Sequence, residues 1–169
     1  MVKIYLKNKD DFYELFNFVV PGFNLRPLEI EAAVGIEQLK KLDKFIHNRR
    51  KNAEYFIKKM QTLKNFLTQK EIGESSWFGF SLILRNDLEG KRKMIVDKLK
   101  EHNIETRPIV AGNFVRNKVI EYMDYEIADN LDNADYLHYN GFFIGNHSKI
   151  EIEKLDYIFN ILKIYNFSD

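Results

Sequence analysis

The sequence predicts an α+β chain in which a long N-terminal helix precedes a small sheet covered by helices. Two features lead to this reading. From Leu28 to Met60, apolar residues recur at helical spacing: Leu28, Ala32, Ile36, Leu39, Leu42, Ile46, Ala53, Phe56, Ile57 and Met60. Beyond that stretch, apolar runs of strand length alternate with amphipathic runs of helix length, so strands and helices take turns along the chain. With 169 residues, 45% apolar and 14% aromatic, the chain can build a real core and is not a disordered segment.

Residues 1–20 hold short apolar clusters broken by charge and read as a strand or helix remnant. Pro21-Gly22 marks a turn, and Pro27 suits the first turn of the long helix. That helical pattern runs to about Leu63, longer than a typical globular helix, so it is expected to kink or stop near Asn48 or Asn52. Gly35 and the paired alanines Ala32 and Ala33 suit close helix packing in a core. After a loop at 73–76, residues 77–84 read as a buried strand and 88–102 as an amphipathic helix that Asn103 ends. A second strand is expected over 104–110, and Ala111-Gly112-Asn113 opens a loop. A helix over 128–139, a short strand over 141–144 and a final helix capped by Ser148 and running to about Tyr165 complete the series. The division along the chain is 1–20 remnant, 21–66 connecting motif and long helix, 67–169 small α+β domain.

Composition narrows the function. The formal net charge is +1, from 26 basic and 25 acidic residues, which argues against a nucleic-acid-binding domain with its one-sided basic excess. The basic clusters Lys40-Lys41, Arg49-Arg50-Lys51 and Lys91-Arg92-Lys93 read as solvated helix faces. There is no cysteine, so disulfides, Cys-based zinc sites and thiol catalysis are excluded. No histidine–carboxylate spacing resembles a metal site. The N-terminus lacks an apolar signal core and no apolar run has membrane length, so a cytoplasmic location without a membrane span is the expectation.

Several residues are placed to bind. Asn24, after the Pro-Gly turn and just before a helix start, either presents its amide to a phosphate or caps the helix. Arg26 is an interfacial or phosphate-side cation, or a surface salt-bridge residue. Arg107, at a strand end beside Pro108, offers a guanidinium fork for a bidentate anion or hydroxyls, and the Gly112-Asn113 loop adjoins it. Arg116 is a further candidate, and His147 follows Gly145-Asn146 in a ligand-facing loop. Trp77 and Phe78 stack on a ligand or, as the favoured reading, pack in the core. His47, His102 and His138 are expected to do nothing chemical.

Four segments together are specific. They are residues 21–30 (PGFNLRPLEI) with 32–39 (AAVGIEQL); 42–46 with Arg49-Arg50; 76–80 (SWFGF) with 104–108 (IETRP) and 111–114 (AGNF); and 140–147 (NGFFIGNH). In this combination the chain resembles the C-terminal part of the DegT/DnrJ/EryC1/StrS aminotransferases, which act on nucleotide-linked keto sugars. The last two segments look most like the branch that builds dideoxy and amino sugars for surface polysaccharides, 3-dehydratases included. The resemblance covers about residues 21–165. It implies the small C-terminal-type domain of the fold-type I aminotransferases that use pyridoxal 5'-phosphate (PLP), with Asn24 reaching across a dimer interface to the partner's cofactor phosphate.

It also implies what these residues do not supply. In that family the Schiff-base lysine, the acid paired with the pyridine nitrogen and the aromatic on the ring all lie N-terminal to the Asn24 motif. The expectation is therefore a half-site completed by a homodimer or by a complementing large-domain chain. On this reading the chain neither binds PLP nor transaminates alone, and no residue is assigned a catalytic role. The family substrate is a nucleotide-linked sugar, and aminotransferase and 3-dehydratase remain equally open.

Overall fold

The computed structural model describes residues 12, 17, 18, 20–22 and 28–166. Asn24 and Arg26 lie outside the described residues. The helices are α1 (Glu29–Leu39), α2 (Leu42–Met60), α3 (Arg92–Glu101), α4 (Asp132–Asn140) and α5 (Ile152–Lys163). The strands are β1 (Phe66–Thr68), β2 (Gly79–Leu84), β3 (Thr106–Arg107) and β4 (Gly141–Gly145). The α+β class and the small sheet backed by helices are as expected.

The sheet runs in the order β1-β2-β4-β3, each pair antiparallel. Register sets two faces, because side chains alternate along each strand. Phe80 pairs with Ile144 and Leu82 with Phe142, Phe66 with Leu84, and Thr106 with Ile144. These residues form the buried face. Against it pack Ala53, Phe56 and Met60 of α2, Ile95 and Leu99 of α3, and Leu155, Ile158, Ile161 and Leu162 of α5 in one cluster. The rings of Phe56 and Phe80 lie 4.6 Å apart at its centre. On the other face, Tyr136 of α4 donates its hydroxyl to the Leu84 carbonyl at 3.0 Å.

The helical pattern from 28 does break, at Lys40-Lys41 rather than at Asn48 or Asn52. Both asparagines stay inside α2 because their side chains reach across to residues 146–151 instead of competing for the helix's own backbone. At the start of α1, Glu31 accepts the Leu28 N–H at 2.8 Å, which satisfies one of the free first-turn donors. No residue of α1 is buried. Ile30, Val34 and Leu39 are 56–69% exposed, so Gly35 and its alanines do not pack into the core among the described residues.

Backbone conformation trims the other expectations. Trp77 has φ +49, so the strand expected from 77 starts at Gly79. Pro108 and the positive φ of Val110 turn the chain out of the sheet, which leaves β3 two residues long. Gly90, at φ +74, delays α3 to Arg92. Asn103 ends α3 as expected. At φ +59 its N–H bonds the Lys100 carbonyl and the Ile104 N–H bonds the Leu99 carbonyl, both at 2.9 Å, a Schellman ending. Ser148 caps nothing, because α5 begins at Ile152 with Glu151 as its N-cap. Strand β1 escapes a periodicity reading because three residues carry no period.

The basic clusters are less solvated than their composition suggests. Arg50 donates to the Ser75 carbonyl at 2.9 Å, and Arg92 donates to the carbonyls of His138 and Gly141. No helix among the described residues is long and apolar enough to cross a membrane.

Phe80 is fully buried, so Phe80→Ala removes a large ring from the centre of the core. The expected loss is about 3–5 kcal/mol of unfolding free energy, measured by urea denaturation.

Candidate functional site

Two buried asparagines fix the geometry on which the site depends. Asn146, 4% exposed, donates its side-chain amide to the carbonyls of Arg49 and Trp77, both at 2.9 Å. Its backbone N–H donates to the Phe78 carbonyl at 3.2 Å. Asn52, 1% exposed, has its amide nitrogen 2.7 Å from the Lys149 carbonyl, 3.1 Å from Asn146 Oδ1 and 3.3 Å from the His147 carbonyl. Its Oδ1 accepts the Glu151 N–H at 3.2 Å. Together the pair ties α2, the entry to β2 and the loop after β4 into one rigid corner.

That corner walls a concavity of about 650 Å³. Arg49 comes from α2, Phe78 from the turn before β2, Arg107 from β3 and Phe143 and His147 from β4 and its exit. Phe78 is 67% exposed, 6.2 Å from the Phe143 ring and 5.9 Å from the Arg49 guanidinium carbon. Its neighbour Trp77 is in the core, 7% exposed, so the core reading holds for one member of the pair only. Gly79 makes room for this arrangement, because a Cβ there would stand 2.9 Å from Phe143 Cδ2. Arg107 donates to Glu105 from Nε and Nη2, at 3.0 and 2.8 Å. His147 Nδ1 accepts the Lys149 N–H at 3.2 Å. At the rim, His102 Nδ1 lies 3.1 Å from the Tyr157 hydroxyl.

Gly112, Asn113 and Arg116 do not line this concavity. They form a separate cluster against α4. Gly112 has φ +61, and a Cβ there would stand 2.5 Å from His138 Nδ1. The Asn113 N–H donates to the same nitrogen at 3.3 Å. Asn113 Nδ2 and Arg116 Nε both donate to Asp135 Oδ1 at 2.8 Å, and Arg116 Nη2 reaches Asp135 Oδ2 at 2.5 Å. These donors, Arg116 first, hold the Asp135 carboxyl down at about 2. Burial lowers His138 below its ordinary value, with Arg92 adding to the effect. Among the described residues no group of three or more His, Asp or Glu is placed to hold a metal ion.

Composition and spacing overlooked Arg49 as a site residue and treated it as part of a solvated basic cluster. Asn52 was legible only as a possible helix break.

The small antiparallel sheet backed by helices is a fold shared with part of solved PLP aminotransferase-fold chains. The chain belongs to the DegT/DnrJ/EryC1/StrS aminotransferase family, whose model matches residues 4–163. It is 51% identical over 159 residues to a GDP-4-keto-6-deoxy-D-mannose 3-dehydratase of Escherichia coli O55:H7, which covers 94% of this chain and 41% of that protein. A solved E. coli GDP-4-keto-6-deoxy-D-mannose-3-dehydratase with bound hydrated PLP superposes with a TM-score of 0.77 at 51% identity, covering 93% of this chain and 41% of the other. A lipopolysaccharide biosynthesis protein of Salmonella typhimurium is 32% identical over 140 residues, 81% of this chain and 32% of that protein. The chain thus spans about two fifths or less of the length of these relatives.

Two outcomes follow from the geometry. Asn52→Ala leaves the carbonyl of Lys149 and the N–H of Glu151 without their partner; an expected loss of about 2–4 kcal/mol is measurable by urea denaturation. The depressed Asp135 carboxyl contributes stability that is fully present above its unfolded value of 3.8 and lost as pH falls towards about 2. Asp135→Asn should therefore flatten the decline of the urea midpoint between pH 4 and pH 2.

Proposed function

We propose that this chain supplies the substrate-side wall of a PLP-dependent enzyme acting on a GDP-linked keto sugar, a 3-dehydratase or a related aminotransferase of surface-polysaccharide synthesis. The observation that supports this best is the convergence of Arg107 and His147 with the Phe78–Phe143 pair on one concavity. A sugar nucleotide asks for that combination: an arginine fork for diphosphate or hydroxyls, and an aromatic face for a ring.

Arg107 in this reading is the cation that engages the substrate, and Glu105 holds its fork in place. His147, its Nδ1 taken by the Lys149 N–H, turns Nε2 to the substrate as a hydrogen-bonding group. The Gly112–Asn113 loop and Arg116, bound to Asp135, brace the chain that leaves β3 and so fix where Arg107 stands. Asn24 and Arg26 are assigned to the cofactor-phosphate side.

The described residues do not by themselves fit PLP. The one lysine at the concavity, Lys154, has a side chain 73% exposed and is paired with Glu151 at 2.6 Å. Such an ammonium is no candidate for the desolvated Schiff-base amine that the cofactor requires. PLP chemistry in this family would supply the electron sink for loss of a sugar hydroxyl or for transamination. This chain's part is to bind and orient the sugar nucleotide, and the 169 residues alone turn nothing over. The exposed apolar surface of α1 supports a compatible second reading, an assembly domain that meets a second copy or a large-domain chain.

The test is to incubate the chain with PLP and GDP-4-keto-6-deoxy-D-mannose, with and without the complementary N-terminal portion of the E. coli relative. Turnover is expected only in the mixture. Arg107→Gln is expected to raise KM about tenfold, or 1.4 kcal/mol. Turnover by the chain alone, or an unchanged KM, would overturn the reading.

A further inference from the structure

Arg49 differs from the other cations at this corner. Arg107 and Lys154, which line the same concavity, are each paired with a carboxylate, Glu105 and Glu151. Arg50, next in sequence, donates to the Ser75 carbonyl at 2.9 Å and lies 3.5 Å from Glu74. The Nε of Arg49 is buried and has no hydrogen-bond partner among the described residues. Its guanidinium carbon sits over the exposed Phe78 ring at 5.9 Å.

A buried donor without a partner is costly, and more so when it belongs to a charged group. The corner nevertheless holds Arg49 firmly, because its own carbonyl is clamped by Asn146 at 2.9 Å. A guanidinium that is preorganised, partly desolvated and set over an aromatic face suits an oxyanion with two oxygens to present to its fork. The two acids that line the concavity, Glu105 and Glu151, are already committed to Arg107 and Lys154.

We infer that Arg49 is a phosphoryl-binding residue of this concavity, donating from its Nη groups to a phosphate or diphosphate group. Phe78, lying under the guanidinium, borders the site with a surface for the ring attached to that phosphate. The inference rests on the preceding proposal only for the source of the phosphate, a nucleotide diphosphate or a cofactor phosphate. Both present the same chemistry to the guanidinium.

The experiment titrates the 169-residue chain separately with inorganic pyrophosphate, GDP and pyridoxamine 5'-phosphate, which lacks the aldehyde that would label lysines. The arginine Nε–H resonances are followed by NMR. Pyrophosphate is expected to move the Arg49 Nε–H resonance, to bind about tenfold more weakly to Arg49→Gln, and to recover part of that loss in Arg49→Lys, which keeps the charge without the fork. Binding should weaken as salt is raised. GDP binding more tightly than pyridoxamine phosphate assigns the site to the nucleotide, and the reverse order assigns it to the cofactor; either supports the phosphoryl role. An Arg49 resonance that none of the three ligands moves overturns it, and this readout needs no variant to fold. So does wild-type affinity in a folded Arg49→Gln; if Arg107→Gln then weakens GDP, the substrate-side proposal stands while the Arg49 inference falls. Pyrophosphate bound through Arg49 without any GDP binding has the opposite meaning: the anion site stands and the sugar-nucleotide proposal falls.

Discussion

The pairing of Asn52 with Asn146 is the constraint on which the rest of this corner depends. An amide has two donors and an acceptor, and Asn146 uses all three: two carbonyls on different elements and the amide of Asn52. In a buried setting such a network is favourable only when complete. Completeness therefore fixes α2, the Trp77–Phe78 turn and the exit of β4 in one arrangement. Apolar packing could bring the same elements together, but it is non-directional and would not set the angle at which Phe78 and His147 leave the backbone.

The chain satisfies its charges unevenly. Near neutrality overall hides local pairs of very different character. Lys40–Glu37, at the end of α1, and Lys93–Asp97, within α3, are exposed local pairs and add little. Arg116–Asp135 is reinforced by Asn113 and joins a loop to a helix. Lys59 and Tyr55 of α2 share Asp156 of α5, so an ionic contact repeats on the surface the join that Phe56 and Ile158 make within the core.

Much of the fold was legible in the sequence. Apart from β1, helix and strand order followed from periodicity, and the ending of α3 followed from Asn103, since asparagine tolerates the left-handed conformation. Boundaries were not legible where a positive φ at a bulky residue decided them, as at Trp77 and Val110. Those conformations are imposed by tertiary contacts and run against local preference. The candidate site was half legible. Arg107 and His147 stood out as polar residues beside turns, and the structure puts them on one concavity. Gly112, Asn113 and Arg116 stood out for the same reason, yet their partners Asp135 and His138 lie about twenty residues further on, beyond any local pattern. Arg49 was hidden in a basic run, because exposure and pairing are properties of the fold.

The sheet order has a consequence for how this corner comes into being. β2 pairs with β4 across some sixty residues, and Asn52 meets Lys149 across 97. The walls of the concavity come from four separate stretches of sequence, around 49–52, 78, 102–107 and 143–158. Helices α2 and α5 can form early and locally, whereas the corner must wait for closures among the most distant of the described residues, the kind that slow folding. Until they are made, Phe78 and Phe143 are ordinary apolar side chains with nothing to organise them. The concavity is thus a late product of folding, and whatever shortens or opens the 146–151 segment removes it while leaving most helical content in place.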